Sequence, residues 1–262
     1  MWVKICGINR LQDAVAAYRF GADAIGFIFA DSPRRVTPDE AREISRRAPW
    51  GPSRVGVFVD STLDEVRRTV EYCGLDLVQL HGHEDEEYCE SVSRSIDTVK
   101  HRERRSAAPA RRATETYFSS TSRERNAAGV DAAAFECQRI YGAGHLVGEN
   151  VIKALRLNGD ADLVHAGMYR GRTLLLDGYL SGGNGHEGEP YEQLVRLLEP
   201  GRTLIIAGGL DPGNVGEAIS ALRPYGVDVA SGVESSPGVK DHALMYSFIE
   251  RARKAEYEVN ES

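Results

Sequence analysis

The sequence has few cysteines and no long apolar segment. Its four cysteines, at positions 6, 73, 89 and 137, are spaced irregularly over 262 residues, which does not suggest a disulfide framework. No apolar run approaches the roughly 18 residues of a membrane-spanning helix. No basic and then apolar signal segment precedes the first predicted strand, which begins at residue 2. We therefore expect a cytoplasmic protein that does not associate with membranes.

The chain also has fewer positively charged than negatively charged residues. The chain carries 39 Asp or Glu against 32 Lys or Arg, which gives a net charge of −7 at pH 7. A net negative charge does not favour binding to nucleic acid, and we expect no such partner. The basic residues are distributed unevenly, because the stretch from Lys100 to Arg125 holds eight Lys or Arg and three Glu.

Predicted strands and helices alternate along most of the chain. Each apolar segment of the kind that forms a buried parallel strand is followed by apolar residues at helical spacing. The predicted strands cover residues 2–5, 24–29, 54–59, 75–80, 151–154, 173–177, 203–207 and 227–230. Four strand–helix units before residue 100 and four after residue 150 predict an α/β fold, a (β/α)8 TIM barrel.

Capping residues mark the start of three helices. Thr37 with Glu40, and Thr62 with Glu65, have the spacing of a capping box, in which each side chain bonds the backbone amide of the other residue. Asn9 is the predicted N-cap of the first helix.

The alternation breaks between residues 101 and 150. The first part of this segment is rich in Arg, Ala, Ser and Thr and the last part in Gly, and neither keeps a period of 3.6 or 2. Loops of more than about 15 residues without secondary structure are uncommon in compact domains. We interpret residues 101–150 as a long insertion, disordered or loop-like, between the fourth helix and the fifth strand. Residues 1–100 and 151–255 then form the two halves of the barrel, and residues 256–262 a polar tail.

Three side chains with useful chemistry lie at the carboxyl ends of predicted strands. Cys6 follows the first strand, His81 the fourth and Asp177 the sixth, and this rim carries the active site of TIM barrels. Each has a simpler interpretation: Cys6 as a small buried apolar residue, His81 as a structural hydrogen-bonding residue, and Asp177 as a cap or ion-pair partner. Their shared location favours a catalytic site.

Glycines follow the seventh and eighth predicted strands, where TIM barrels commonly bind phosphate through backbone amides. Gly208 and Gly209 follow the seventh strand, and Ser231 and Gly232 follow the eighth. The alternative is that the glycines only form tight turns. We interpret these four residues as a candidate phosphate-binding site.

Two further groups of side chains are candidates for ligand binding. Arg34 and Arg35 follow the second strand and are suited to a bidentate grip on a carboxylate, although solvated surface arginines are ordinary. His81, His83 and Glu84 belong to residue types that bind metals. Further ligands at suitable spacing are not evident, so we expect no metal site.

Eight segments, in order along the chain, resemble the phosphoribosylanthranilate isomerase family of tryptophan biosynthesis. Together they cover residues 1 to about 100 and 151 to about 255, and their combination is highly specific. The segments are residues 4–8, 21–27, 32–34, 55–59, 78–82, 174–177, 207–215 and 228–234.

The resemblance implies an Amadori rearrangement of N-(5-phosphoribosyl)anthranilate to 1-(2-carboxyphenylamino)-1-deoxyribulose 5-phosphate. It implies that Cys6 is the general base, that Asp177 is the general acid and that Arg34 binds the anthranilate carboxylate. An acid and a base on opposite sides of one sugar can perform this reaction without a metal or cofactor. We expect a small-molecule phosphoribosyl substrate as the only ligand, and a monomer or homodimer.

The chain departs from the family pattern in one loop and in the insertion. Asn184 stands where the family usually has Thr or Ser, and the Phe-Asp-Trp element that normally follows is replaced by residues 186–190. Residues 101–150 have no counterpart in the family pattern.

Other functions remain as alternatives. A ribulose-phosphate epimerase would need metal-ligating His and Asp at several strand ends, and an indole-glycerol-phosphate synthase a set of catalytic lysines, neither of which is evident. A non-catalytic barrel that serves as a binding module is the alternative from a different class, and the long insertion is its best support.

Overall fold

The structure is a computed structural model that describes residues 1–49, 51–97, 150–156, 173–178 and 202–261. Eight parallel strands form a closed barrel in chain order, and β8 returns to pair with β1. This confirms the predicted (β/α)8 TIM barrel. The strands are β1 Trp2–Cys6, β2 Ala24–Ile28, β3 Ser53–Phe58, β4 Leu77–Leu80, β5 Val151–Arg156, β6 Thr173–Asp177, β7 Thr203–Ala207 and β8 Gly226–Val229.

In the described residues, helices follow six of the eight strands and pack on the outside of the barrel. A 3₁₀ turn at Ser231–Val233 and a short antiparallel ribbon, β9 Glu234–Ser236 and β10 Val239–Lys240, separate β8 from the last helix. The sequence pattern also predicts helices around residues 163–166 and 191–198, and these lie outside the described residues. The described helices are α1 Leu11–Phe20, α2 Pro38–Arg47, α3 Leu63–Cys73, α4 at 86–97, α5 Val215–Leu222 and α6 His242–Glu261.

The two predicted capping boxes are confirmed. Thr37 and Thr62 each accept a hydrogen bond from the backbone amide three residues later, and the glutamate there bonds back to the threonine amide. The prediction for Asn9 is wrong. Arg10 occupies the N-cap position of α1 without a side-chain cap. Its guanidinium instead donates two 2.9 Å hydrogen bonds to the carboxylate of Asp13 in the first turn, which gives that buried side chain a positively charged partner.

Side chains alternate between the barrel interior and the helix layer. One buried cluster holds interior residues from seven of the strands, and the alternate residues pack in a second cluster with the helices. On β1, Trp2 belongs to the interior cluster, whereas Val3 and Ile5 pack toward the helices. Lys4 and Cys6 therefore share the inward face of β1. The interior cluster consists of Trp2, Ala24, Val55, Leu77, Ile152, Ala154, Leu175, Ile205 and Ala207.

The C-terminal residues extend a helix. We predicted a polar tail from residue 256, but α6 continues to Glu261. Ala252 and Ala255 are buried and Val259 packs against the same core, so the apolar spacing of the helix persists beyond the predicted end. Among the described helices, none is long and apolar enough to cross a membrane.

The two ends of the segment that holds the predicted insertion meet in space. Asp97, at the end of α4, accepts a hydrogen bond from the side-chain amide of Asn150, just before β5. A few residues are therefore enough to connect them. We expect that replacing residues 101–149 with a four-residue Gly/Ser linker preserves the folded barrel. Shortening a loop from about 50 to about 7 residues lowers its closure cost by about 2 kcal/mol.

The measurement is thermal unfolding followed by circular dichroism, together with turnover. We expect one cooperative transition at an unchanged or higher Tm. The control replaces residues 101–149 with a Gly/Ser segment of equal length, which separates the effect of sequence from that of length. Loss of the cooperative transition in both variants would show that the segment is part of the folding unit.

Candidate active site

Cys6 ends β1 at the carboxyl rim of the barrel and is buried, with 6% of its surface exposed. Its register partner on β2 is Gly26. A Cβ atom at Gly26 would lie 2.8 Å from the Cys6 Sγ and 3.2 Å from the Lys4 Cε, so the missing side chain provides the space that the thiol and the lysine occupy.

Charged side chains surround this thiol. Lys4 is fully buried, and its Nζ donates a 2.9 Å hydrogen bond to Oδ2 of Asp228 on β8. Burial raises the pKa of the Cys6 thiol above its ordinary value. The positive charge of Lys4 opposes this rise, Asp228 adds to it, and Lys240 opposes it.

Asp177 and His81 lie at the same rim, on β6 and just after β4. His81 Nε2 is 3.1 Å from Asp177 Oδ2, and its Nδ1 is 3.2 Å from the side-chain amide nitrogen of Gln79. An amide that donates to Nδ1 leaves the ring proton on Nε2, where it bonds the carboxylate. The hydrogen bond from His81 lowers the pKa of Asp177, against the effect of burial, and the positive charge of Arg156 assists.

Arg34 is held at the rim by an ion pair that no local sequence pattern predicts. Its Nε and Nη2 donate to the two carboxylate oxygens of Glu234, at 2.7 and 2.8 Å. Glu234 also accepts a 2.8 Å bond from Lys240, which is buried. Burial raises the pKa of Glu234, but the hydrogen bonds from Arg34 and Lys240 outweigh it, so this pKa lies below its ordinary value. The bidentate face of Arg34 thus holds a protein carboxylate.

The loops after β7 and β8 pack closely against their neighbours. Gly208 has a φ of +86°, and a Cβ there would lie 2.1 Å from the Gly178 nitrogen. A Cβ at Gly232 would lie 1.9 Å from the Leu210 carbonyl oxygen. Close packing alone therefore requires glycine at both positions, which is what the tight-turn interpretation proposes for them. Gly209 and Ser231 are exposed at the rim, where a ligand can reach them.

The histidines and acids that follow β4 organise loops. The buried Glu84 accepts bonds from the amides of Asp60 and Gly82, both at 2.9 Å, and from Lys153 Nζ at 2.7 Å. His83 is exposed and bonds Asp60.

In the part of the chain that the structure describes, no group of three or more His, Cys, Asp or Glu could hold a metal ion. The loop around Asn184 and residues 186–190 lie outside the described residues.

The family model for N-(5'-phosphoribosyl)anthranilate (PRA) isomerase matches residues 3–120 and 143–251. The chain belongs to this family. Residues 101–120 and 143–150 of the predicted insertion match the family model, so the expectation that the whole segment has no counterpart in the family is wrong. Only residues 121–142 of this segment lie outside the match. Membership in the PRA isomerase family confirms the resemblance found in the sequence.

Relatives named N-(5'-phosphoribosyl)anthranilate isomerase align over nearly the full chain. The one from Geobacter sp. (strain M21) is 37% identical over 255 residues, 96% of this chain and 98% of the relative. The one from Thermotoga neapolitana is 37% identical over 254 residues, with the same coverage.

Solved structures of PRA isomerases share the fold. The crystal structure of the Thermotoga maritima enzyme gives a TM-score of 0.70 at 32% identity, over 97% of this chain and 99% of the other. Another crystal structure contains reduced 1-(o-carboxyphenylamino)-1-deoxyribulose 5-phosphate, with a TM-score of 0.67, 31% identity and the same coverage. A third, with a TM-score of 0.68, 30% identity and the same coverage, is described as monomers derived from the dimeric T. maritima protein.

The charged residues beside the site were not found from the sequence. Lys4, Asp228, Glu234 and Lys240 all lie within the segments that resemble the family or close to them, but none was assigned a role. The alternation of β1 carried a usable signal: a lysine two residues before an inward-facing cysteine must itself point into the barrel.

Proposed function

We propose that this protein is a phosphoribosylanthranilate isomerase that catalyses the Amadori rearrangement of N-(5-phosphoribosyl)anthranilate to 1-(2-carboxyphenylamino)-1-deoxyribulose 5-phosphate, a step of tryptophan biosynthesis. The observation that carries the proposal is the family match across both halves of the barrel. A thiol and a carboxylate at the carboxyl ends of β1 and β6, two strands that are not neighbours, support it further.

The reaction needs two proton transfers at separate atoms. We assign to Asp177 the proton that reaches the ribose ring oxygen as the bond from this oxygen to C1 breaks, which leaves an iminium at C1. The thiolate of Cys6 then removes the proton from C2. The electron pair of the broken C2–H bond forms the C1–C2 double bond, and the π electrons of the C1–N double bond move to the nitrogen. Protonation at C1 and loss of the C2 hydroxyl proton give the ketone. Positioned acids and bases each contribute about 10²–10⁴-fold.

The protonation of Asp177 must change when substrate binds. In the free protein the hydrogen bond from His81 lowers the pKa of this carboxyl, so at neutral pH it is ionised. A bound substrate brings a phosphate and a carboxylate and excludes water, and both effects favour the neutral acid. We propose that His81 stays beside Asp177 and the sugar in the complex, as a substrate-binding residue.

Phosphate and carboxylate are held at different parts of the rim in this proposal. We assign the phosphate to the loops at Gly208, Gly209, Ser231 and Gly232, through backbone amides. We assign the anthranilate carboxylate to Arg34, whose orientation Glu234 fixes.

Arg34→Ala is expected to raise KM by about one to two orders of magnitude, because a charged hydrogen bond contributes about 1.5–3 kcal/mol. The change in kcat should be smaller. Arg35→Ala is the matched control, since Arg35 is the exposed neighbour and is expected to keep the wild-type KM. Steady-state kinetics with both variants checks the assignment. Equal KM values for the two variants would contradict a specific role for Arg34.

Complementation tests the function itself. Expression of the chain is expected to restore growth without tryptophan to a bacterial strain that lacks this isomerase, and purified protein should convert the phosphoribosyl substrate to the deoxyribulose product. The Cys6→Ala/Asp177→Ala double variant is the control. A barrel that binds the product but neither complements nor turns over would be a non-catalytic binding module.

We further propose that the enzyme acts in the cytoplasm as a monomer or homodimer. The dimeric relative from T. maritima makes the homodimer a reasonable arrangement. Analytical ultracentrifugation of the purified protein distinguishes the two states.

A further inference from the structure

Lysine is rare in this chain, and most of its lysines are buried. The sequence has five, and Lys4, Lys153 and Lys240 each have 3% or less of their surface exposed. Lys153 forms an ion pair with Glu84, and Lys240 forms one with Glu234. These pairs lie outside the barrel interior or at its rim. Lys4 differs from both because it lies inside the barrel, on the same strand and the same face as Cys6.

The side chain of Lys4 lies beside the thiol of Cys6. Both the Lys4 Cε and the Cys6 Sγ lie around the space left by Gly26, 3.2 and 2.8 Å from the place where a Cβ would be. The Lys4 ammonium donates a 2.9 Å hydrogen bond to Oδ2 of Asp228. Among the described residues, Oδ1 of Asp228 has no hydrogen-bond partner. Asp228 therefore positions the Lys4 ammonium, and its second carboxylate oxygen takes part in no other hydrogen bond among the described residues.

We propose that Lys4, held in place by Asp228, is a positioning residue that stabilises the thiolate of Cys6 inside the barrel. The proposal rests on the function of Cys6 as the general base. A buried thiol loses the hydration that its anion would have in water, so it needs a fixed positive charge close by. An ammonium two residues away on the same face provides that charge.

Other charged groups also face the thiol, and they do not replace Lys4. Lys240 approaches from β10, but its ammonium is bonded to Glu234 and to the Ala230 carbonyl oxygen, both at 2.8 Å. Arg34, in the loop after β2, is paired with the same glutamate. Of the charges that act on Cys6, that of Lys4 is the largest that favours the thiolate, and Lys4 also contributes a side-chain hydrogen bond.

Stability gives a weaker reason for this buried pair. Replacing a buried ion pair by apolar residues of similar volume is often neutral or stabilising, because the pair must lose its hydration. A lysine and an aspartate inside an otherwise apolar barrel interior are therefore better explained by the thiol beside them.

The test measures ionisation of Cys6 directly, without substrate. The rate of iodoacetamide alkylation of the Cys6 peptide is followed by mass spectrometry as a function of pH. Lys4→Met is expected to move the alkylation midpoint up by at least one pH unit, which is about a tenfold loss of thiolate at a fixed pH below it. Lys4→Arg is expected to keep most of the wild-type midpoint.

Two further variants control for structure. Lys153→Met removes a buried lysine paired with a carboxylate elsewhere in the barrel, and we expect no shift of the Cys6 midpoint. Lys4→Met/Asp228→Asn leaves no unpaired buried charge, so it keeps the test available if Lys4→Met alone does not fold, and we expect an upward shift here too. Turnover should follow the thiolate: kcat of Lys4→Met falls about tenfold at neutral pH and recovers as pH rises, with little change in KM.

The outcomes separate this proposal from the proposed function. An unchanged midpoint in folded Lys4→Met or in the double variant overturns the role of Lys4, whatever the activity. A shifted midpoint in a protein without isomerase activity supports the role of Lys4 and counts against the function.

Discussion

Cys6→Ser is expected to lower kcat by about 10²–10⁴-fold, the contribution of a positioned general base. Serine keeps the size and shape of the side chain, so the space beside Gly26 stays filled. Its hydroxyl hardly ionises at neutral pH, and the C2 proton of the iminium then has no acceptor. Product affinity should change far less, because we assign the phosphate to backbone amides of the loops after β7 and β8.

The other cysteines provide matched controls. Cys73 and Cys89 are also buried, but Cys73 ends α3, where its thiol donates to the Pro38 carbonyl oxygen, and Cys89 lies in α4. Cys73→Ser and Cys89→Ser are expected to keep near-normal kcat. Steady-state turnover and isothermal titration with product are the measurements. A Cys6→Ser protein with near-normal kcat would exclude the thiol as the base.

The pH dependence of kcat/KM of the wild type also tests Cys6 as the general base, and the direction of the expected change can be stated. Burial raises the pKa of the Cys6 thiol above the ordinary thiol value of about 8.5, so only a minor fraction is thiolate at neutral pH. The value of kcat/KM depends on the fraction of free protein that holds both the Cys6 thiolate and a protonated Asp177. It should therefore stay nearly constant between the two pKa values and fall as pH rises through the pKa of Cys6, where the thiolate fraction stops growing. In Cys6→Ser this plateau should be absent, and the residual kcat/KM should fall with pH from the pKa of Asp177 upward.

Local sequence patterns predicted most of the fold. Apolar strands such as the segment at 203–207 have the residue types and length of buried parallel strands, and β7 covers the same residues in the structure. Capping boxes depend on residues three apart, so both were found. Asn9 was assigned wrongly because the first turn of α1 is held by a charge pair between Arg10 and Asp13 rather than by a side-chain cap.

The candidate site was only partly predictable. Cys6, His81 and Asp177 could be predicted to lie at one rim because the strand ends of this fold share it. The partners that set their charge come from distant parts of the chain: Lys4 and Asp228 are 224 residues apart, and Arg34 and Glu234 are 200 apart. No periodicity relates such pairs. They become neighbours only when β8 closes the barrel against β1.

The change with the other largest expected effect is Asp177→Asn, which should lower kcat by about 10²–10⁴-fold. Asparagine keeps the outline of the carboxylate and can still accept the hydrogen bond from His81 Nε2, so the geometry of the β4 and β6 rim should be preserved. It has no acidic proton to give to the ribose ring oxygen. Ring opening, and not substrate binding, is therefore the step that slows.

Asp60→Asn is the matched control for the loss of one negative charge at the rim. Asp60 follows β3, is exposed and has a φ of +49°, a conformation that asparagine also tolerates. Its kcat should stay close to that of the wild type. Near-normal turnover of Asp177→Asn, in a protein with the wild-type Tm, would remove Asp177 from the role of general acid.

The pH profile of kcat separates the acid from its neighbour. A general acid is active while it holds its proton, so kcat should fall as pH rises through the pKa of Asp177 in the complex. His81→Leu removes the hydrogen bond that lowers this pKa. The pKa of Asp177 should then rise and the falling limb of the profile should move to higher pH, although His81→Leu also weakens substrate binding. Asp177→Asn should have no such limb. A limb that stays in place in His81→Leu would mean that the histidine does not control the protonation of Asp177, whereas a limb that persists in Asp177→Asn would belong to another group.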